Sequence, residues 1–566
     1  MRSAILALFL LLAMAKLSDA APVPPAGPYD IIIRNGLIID GTGKKGRRAD
    51  LAVIGERIAY IGKIPADATA KRAIDAKGLV VAPGFIDLLG QSEDFLLVDP
   101  RAMSKVMQGV TTEVTGEGGS IAPLNDALIA ENRDFYDRYG VKMDWRTLGE
   151  YFAKLEKQGL GVNLATFVGA TQVRAYVIGF DNRPPAPAEL EQMKNLVADA
   201  MKDGAWGLST SLQYIPARFA ATDEIVELAK VARQYGGTYA THQRSEANDI
   251  EKSLDEVFDI ARRTRIPTEI WHLKTAYKQN WGRMKKVLAR IAAARKSGLD
   301  VSADVYPYVA GSTSLGACLP PWAQEGGTEK ILSRLRSAET REKIKADILN
   351  TSDDDWENIY MGSGGASGVL VSSFNTPALE KWQGKRLSEI AKEQGKDELD
   401  TLFDLLLADH NGVGAIYFMM SEDDLRDAIR TPFVSFCTDS GARATDGPLA
   451  NAKGHPRGWG SYPRLLARYV RDEKLLTLEQ AVHKMTGQPA ARVGLKERGT
   501  LKVGHYADIA VFDPRTVQDK ATFDNPAQYP TGIPYVLING QINVDDGTRT
   551  KVLSGQVLRG PGFMGK

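Results

Sequence analysis

The chain has 566 residues, 43% of them hydrophobic, with 71 Lys plus Arg against 70 Asp plus Glu. That length and apolar content allow a large buried core, in one big domain with accessories or in two to three domains, and exclude a disordered chain. A formal net charge of +1 leaves no global field to attract nucleic acid or an anionic membrane, so partners must be read locally.

The N-terminus reads Met1-Arg2, an apolar run from Ala4 to Ala15, then Ser18-Asp19-Ala20-Ala21. Charge, length and small-residue ending are those of a secretory signal, so residues 1–20 are set outside the fold and the chain is expected in the periplasm or outside the cell. The alternative is an uncleaved anchor, although the run is short for a bilayer span. No other segment approaches transmembrane length, and no membrane association is expected after signal removal. Two cysteines, Cys318 and Cys437, make no disulfide framework. Pro22, Pro24, Pro25 and Pro28 mark an extended linker over 21–28.

From Tyr29 come short alternating strands, "YDIIIRNGLIIDGTG" and "DLAVIGERIAYIGKI", broken by Asn-Gly, Gly or Glu-Arg. A matching set, "GTLKVGHYADIAVFDP" and "YVLINGQINVDDG", stands at the other end, so residues 29–78 and 491–566 are expected to pair into one small β-sandwich. Between them, apolar strand-like runs alternate with helices, the pattern of a parallel sheet under a helical cover. One helix is predicted over Pro187 to Asp203; another follows Thr222 as N-cap and stops at Gly236-Gly237. The strands number eight: Val80 to Ile86, Thr111 to Thr115, Leu164 to Val168, Gly207 to Ser209, Thr238 to Thr241, Thr268 to Trp271, Val301 to Val305 and Val434 to Thr438.

Eight is the count of a (β/α)8 TIM-like barrel, with strands one to seven over 79–314 and strand eight within 377–490. The interval before strand eight is too long for one helix and a turn. Residues 315–376 are therefore predicted to be an inserted small domain.

Barrel chemistry sits where strands end. Strand one runs into Asp87, Gln91 and Glu93, strand two into Glu117, strand five into His242, strand six into His272, strand seven into Tyr306 and strand eight into Asp439. Two of only six histidines follow consecutive strands directly. Imidazoles with a carboxylate suit Zn2+, which needs three protein ligands and one position open for water, and Asp439 is placed to take that water's proton. His410, His483 and His505 read as structural; His455, near Arg457, reads equally as structural or as lining the mouth.

The stretches "GLVVAPGFID", "YATHQRSE", "WHLK", "DVYPYVAGST", "TDSGA", "HPRGWGSYPRLL" and "GHYADIAVFDP" together resemble the N-acyl-D-amino-acid deacylase (D-aminoacylase) group of the amidohydrolase superfamily. The resemblance covers nearly everything after the signal. It implies an α/β fold, a metallo-dependent (β/α)8 barrel with a β-sandwich from both chain ends and an insertion before strand eight. It also implies zinc on His242 and His272, a general base at Asp439, and a substrate carboxylate gripped by Lys274, Tyr306, Ser312 and Arg457. An Arg fork with a Lys and hydroxyls is what such recognition requires.

Three departures stand out. The family's His-x-His after strand one falls on Leu89 and Gln91, its cysteine after strand two on Gly118, and a histidine after strand three on Ala170. Glu117, beside Gly118, is the expected third ligand of a single-ion site. Glu93 is the competing donor, and Gln91 is placed to hold water or a substrate carbonyl. A carboxylated lysine is disfavoured, because Lys202 precedes strand four.

The expected protein is a zinc hydrolase, with one ion, acting on the amide of an N-acyl amino acid or small peptide-like amide, with Tyr306 helping at the oxyanion. The alternatives are hydrolysis of cyclic amides or dipeptides at the same site, or an inactive barrel that binds anionic ligands.

Overall fold

The computed structural model describes residues 27–350, 356–451 and 454–565; the expected signal, 1–20, and most of the linker lie outside them. The strands in chain order are β1 (Tyr29–Ile38), β2 (Arg47–Ile54), β3 (Arg57–Gly62), β4 (Ala70–Asp75), β5 (Val80–Pro83), β6 (Phe85–Asp87), β7 (Val110–Thr115), β8 (Asn163–Thr166), β9 (Val168–Gly169), β10 (Gly207–Ser211) and β11 (Thr238–His242). They continue as β12 (Thr268–Ile270), β13 (Val301–Val305), β14 (Gly311–Ser314), β15 (Val369–Ser373), β16 (Gly414–Tyr417), β17 (Val434–Phe436), β18 (Ile509–Phe512), β19 (Tyr535–Ile538), β20 (Gln541–Asp545) and β21 (Thr548–Arg549).

Both chain ends do share one sheet, in the order β21-β20-β19-β18-β5-β1-β2-β3 with β4 beside β1. Strand β1 buries both faces, Ile31 and Ile33 in one apolar cluster and Tyr29 and Ile32 in another, which is the two-sided burial a sandwich demands. Its Asn35-Gly36 is no hairpin. The strand continues through it as a bulge, Asn35 at φ +62° and the register shifting between Ile33 and Gly36. The same dipeptide at Asn539-Gly540, both at positive φ, does make the two-residue turn between β19 and β20.

The run Val80 to Ile86, expected as one barrel strand, serves two sheets. β5 pairs with β18 and β1, β6 pairs with β7, and Gly84 lies between them because a Cβ there would sit 2.1 Å from Thr111 Oγ1. The first sandwich segment thus extends to Pro83 rather than ending at 78.

The barrel is parallel throughout, β6-β7-β8 on one arc and β9-β10-β11-β12-β13-β17 on the other. β8 and β9 are one strand interrupted at Phe167, so eight strands surround the core. Asp439 N–H donates to Leu89 O at 2.8 Å, Gln91 N–H to Ser440 O at 3.3 Å, and a Gly90–Ser440 bridge closes strand eight onto strand one. At the other end of β8, residues 556–558 run along its free edge, Leu164 N–H donating to Gln556 O at 2.9 Å and Leu558 N–H to Leu164 O at 2.7 Å. The segment 491–566 is therefore sandwich only in part.

The helix Pro187–Asp203 forms as predicted and buries Met193, Val197, Ala200 and Met201. The helix Thr222–Gln234 is not capped by Thr222: Ala221 takes the N-cap position, and the Thr222 hydroxyl donates to Glu256 Oε1. The insertion is larger than 315–376. Its antiparallel sheet, in the order β14-β16-β15, draws β14 from before that range and β16 from after it, around its own apolar core. Among the described residues no helix is long and apolar enough to cross a membrane.

Candidate metal centre

Glu117 is aimed into the barrel mouth by glycines on either side, Gly116 at φ +94° and Gly118 at φ +64°. A Cβ at 118 would lie 2.2 Å from Ser211 Oγ, so no larger residue, cysteine included, fits there. His242 ends β11 and His272 follows β12 by two residues, at φ +37°, its backbone N–H anchored to Asp304 Oδ1 at 2.7 Å. One carboxylate oxygen, Glu117 Oε1, stands 3.0 Å from His242 Nδ1 and 3.1 Å from His272 Nε2. The two rings are nearly perpendicular, their centroids 4.5 Å apart.

These three ligand atoms lie within 4.8 Å of one another, and they are the trio of His, Cys or acidic groups so placed among the described residues. Two imidazole nitrogens with a carboxylate oxygen fit Zn2+. Burial pushes the Glu117 carboxyl up, but hydrogen bonds from both rings and their charges hold it well below the usual carboxylate range. Burial and the Lys274 charge push the His272 ring down, and the carboxylates of Glu246, Asp439 and Glu117 override them, to about 10. An ion bound at Nε2 displaces any proton on that nitrogen.

Each ring is held from behind. His242 Nε2 faces Gln213 Oε1 at 2.8 Å, and His272 Nδ1 faces Glu246 Oε1 at 3.0 Å. Carboxylates and amides in this position fix the tautomer and orientation of a ligating ring. Glu246 was not among the expected site residues; the signal for it was its place four residues after His242 in "YATHQRSE".

The triad opens on a cavity of about 370 Å³ whose wall includes Gln91, Lys274, Tyr306, Ser312, Asp439 and Arg457. Asp439 sits at φ +47°, its Oδ2 paired with Arg457 Nη1 at 2.8 Å. Burial raises its pKa, against the opposing charges of Arg457 and His272. The Arg457 guanidinium lies 4.5 Å from the centre of the Tyr306 ring, and its Nε has no hydrogen-bond partner among the described residues. Lys274 Nζ is engaged by Glu246 Oε1 at 2.6 Å and His272 Nδ1 at 2.8 Å. The Ser312 hydroxyl donates to Ala415 O across the inserted sheet, and it is the Ser312 carbonyl that meets Arg457, at 3.3 Å. Gln91 Nε2 donates to Glu117 Oε2 and lies 3.4 Å from Asp439 Oδ1.

Glu93 does not reach this site. It opens the helix Glu93–Val98 and lines a different cavity, of about 300 Å³, with Asp94 and Tyr136. Its carboxyl turns to backbone N–H groups including that of Gly116, and burial pushes it up to about 8. Ala170 begins a helix, and Lys202 pairs with Asp199 on the surface. His455 is structural: Nε2 faces Ala310 O, and Nδ1 accepts the Arg457 backbone N–H at 2.9 Å.

Residues 438–544 match the model of the Amidohydrolase family. The chain is 37% identical over 514 residues to a D-aminoacylase of Alcaligenes xylosoxydans xylosoxydans, covering 91% of this chain and 94% of that one. Among solved structures it is similar to an N-acyl-D-glutamate deacylase from Bordetella bronchiseptica, complexed with zinc and a phosphonate that mimics the tetrahedral intermediate. That match has 34% identity and a TM-score of 0.77, over 94% of this chain and 100% of the other. A D-aminoacylase described by a binuclear metal centre, with one-metal activation and second-metal attenuation, matches at 36% identity and a TM-score of 0.76, over 94% and 100%.

Proposed function

The chain belongs to the N-acyl-D-amino-acid deacylase (D-aminoacylase) group of the amidohydrolase superfamily, and on that premise we propose a zinc-dependent hydrolase of N-acyl-D-amino acids with one ion on Glu117, His242 and His272. The observation that carries this reading is the single Glu117 oxygen set 3.0 and 3.1 Å from the two ring nitrogens. When bound, zinc supplies an acidified water and polarises the scissile carbonyl. Asp439 would hold and pass on the proton between water and the leaving amine, a task suited to a carboxylate whose pKa is raised by burial. The Tyr306 phenol, pushed well above its ordinary range by burial, stays protonated and can donate to the developing oxyanion. Arg457 and Lys274 line the cavity as the cations available to a substrate carboxylate, Arg457 held there by Asp439 and Lys274 by Glu246.

The one-ion reading draws support from the strand-one loop. Leu89 is buried among apolar residues, and the Gln91 amide bridges Glu117 toward Asp439, so neither residue replaces a lost imidazole. Export is inferred from Met1 to Ala21 alone, and N-terminal sequencing of the mature protein tests it.

The direct test is metal analysis with an amide panel. About one zinc per chain is expected, lost to chelator together with hydrolysis of N-acyl-D-amino acids and restored with it. Turnover that survives complete metal removal overturns the reading, and turnover confined to dipeptides or cyclic amides moves it to another bond.

A further inference from the structure

A buried ammonium lies beneath the rim, outside the cavity. Lys105, from the short helix Met103–Val106, is 0% exposed and points its Nζ at Asp87 Oδ2 (2.8 Å), Thr438 Oγ1 (2.6 Å), Ser440 O (2.6 Å) and Glu113 Oε1 (3.1 Å). Its three protons are shared among four oxygens from strands one, two and eight. Thr438 is bound a second and third time, its N–H and hydroxyl both donating to Asp87, at 2.8 and 2.6 Å. Thr438 and Ser440 are the two neighbours of Asp439.

Asp439 itself is at φ +47°, in the left-handed region that few L-residues other than Asn and Asp adopt. Its own N–H is tied to Leu89 O. The cage also reaches the altered loop: a Cβ at Gly90 would be 1.7 Å from Glu113 Oε1, so the loop closes over the cage only because residue 90 has no side chain. An ion pair buried this completely is weak as a source of stability, since well-packed apolar residues often serve as well. What it does supply is a fixed position for three strand ends.

We propose that Lys105 is a positioning residue for the proton shuttle, its ammonium holding the left-handed turn that presents Asp439 to the cavity. The catalytic consequence rests on the function proposed above. The geometric one does not.

The test is Lys105→Met, with Thr438→Val as a variant that leaves the charged pair intact and removes the hydroxyl the ammonium grips. The metal ligands and the carboxylate clamp are untouched, so zinc stays near one per chain and KM within about threefold, while kcat falls about 100-fold in K105M and about 10-fold in T438V. A generally loosened fold would lower the melting temperature without this split between kcat and KM. Crystals of either variant are expected to show Asp439 out of the left-handed region. The proposal is overturned if folded, zinc-loaded variants keep kcat within threefold, or if Asp439 keeps φ near its present value. Should the wild-type protein hydrolyse no N-acyl amino acid, the proposed function falls, and the φ of Asp439 in crystals of K105M, with T438V beside it, decides the role of Lys105.

Discussion

The two halves of the barrel rim have been built by different rules. On the side of β11 and β12, each imidazole points one nitrogen at Glu117 and has the other braced, by Gln213 and by Glu246. On the side of β6, the loop has an apolar Leu89, a glycine and an amide, and beneath it the single Lys105 ammonium is shared by the carboxyls of Asp87 and Glu113, with burial raising the Glu113 pKa. The braced half can hold an ion; the other half is satisfied without one. A reduced metal site need not be a decaying one, because the one buried ammonium on the altered side is held by four oxygens, two of them carboxylate.

The sharpest way to break this comparison is to remove a ring. His272→Ala is expected to abolish stoichiometric zinc and lower kcat/KM by about 1,000-fold or more, read by metal analysis and steady-state kinetics on refolding-competent protein. Gln91→Ala should cost less than about tenfold with zinc retained, since it loses hydrogen bonds and no ligand; an equal loss in both variants would erase the distinction between the halves.

The smallest effect sharpens the boundary. Glu93→Gln should leave kcat/KM within about twofold but change stability with pH. The Glu93 carboxyl is raised from its ordinary value to about 8 in the fold, so the stability linked to its protonated form is present at acid pH and is lost as pH rises through 8. The variant should then match wild type near pH 5 and melt about a few degrees higher near pH 9 by calorimetry. A pH-independent difference would mean the side chain is ionised throughout.

The barrel was legible because each strand is a short apolar run between helices, and His242, His272 and Asp439 were legible because they stand where such runs end. Glu117 followed from its adjacency to a position that cannot ligate. Pairings across the chain left no local trace. β14 meets β16 about a hundred residues on, at Ser312 and Ile416, so the insertion was drawn too short at both ends. Asn35-Gly36 carries turn chemistry inside a strand, because β2 pairs on both sides of it and the sheet overrides the local preference. Glu93 was misplaced for a simpler reason: a helix starts there, and its first turn rotates the carboxyl away from the mouth. Glu246 stands four residues after His242, a spacing that could have marked it, whereas Lys105 acts through Thr438 and Ser440, more than three hundred positions away, and no spacing announces that.

The strip at 556–558 has a consequence for how this protein is made and handled. Gln556 N–H reaches the Asn163 side chain across 393 positions, and the same strip satisfies the amide of Leu164. A fragment stopping just after strand eight would keep Glu117, His242 and His272 yet expose a raw, hydrogen-bond-hungry margin on β8, ready to recruit another chain. The free margin of β8 is thus covered by residues that are not among those lining the cavity.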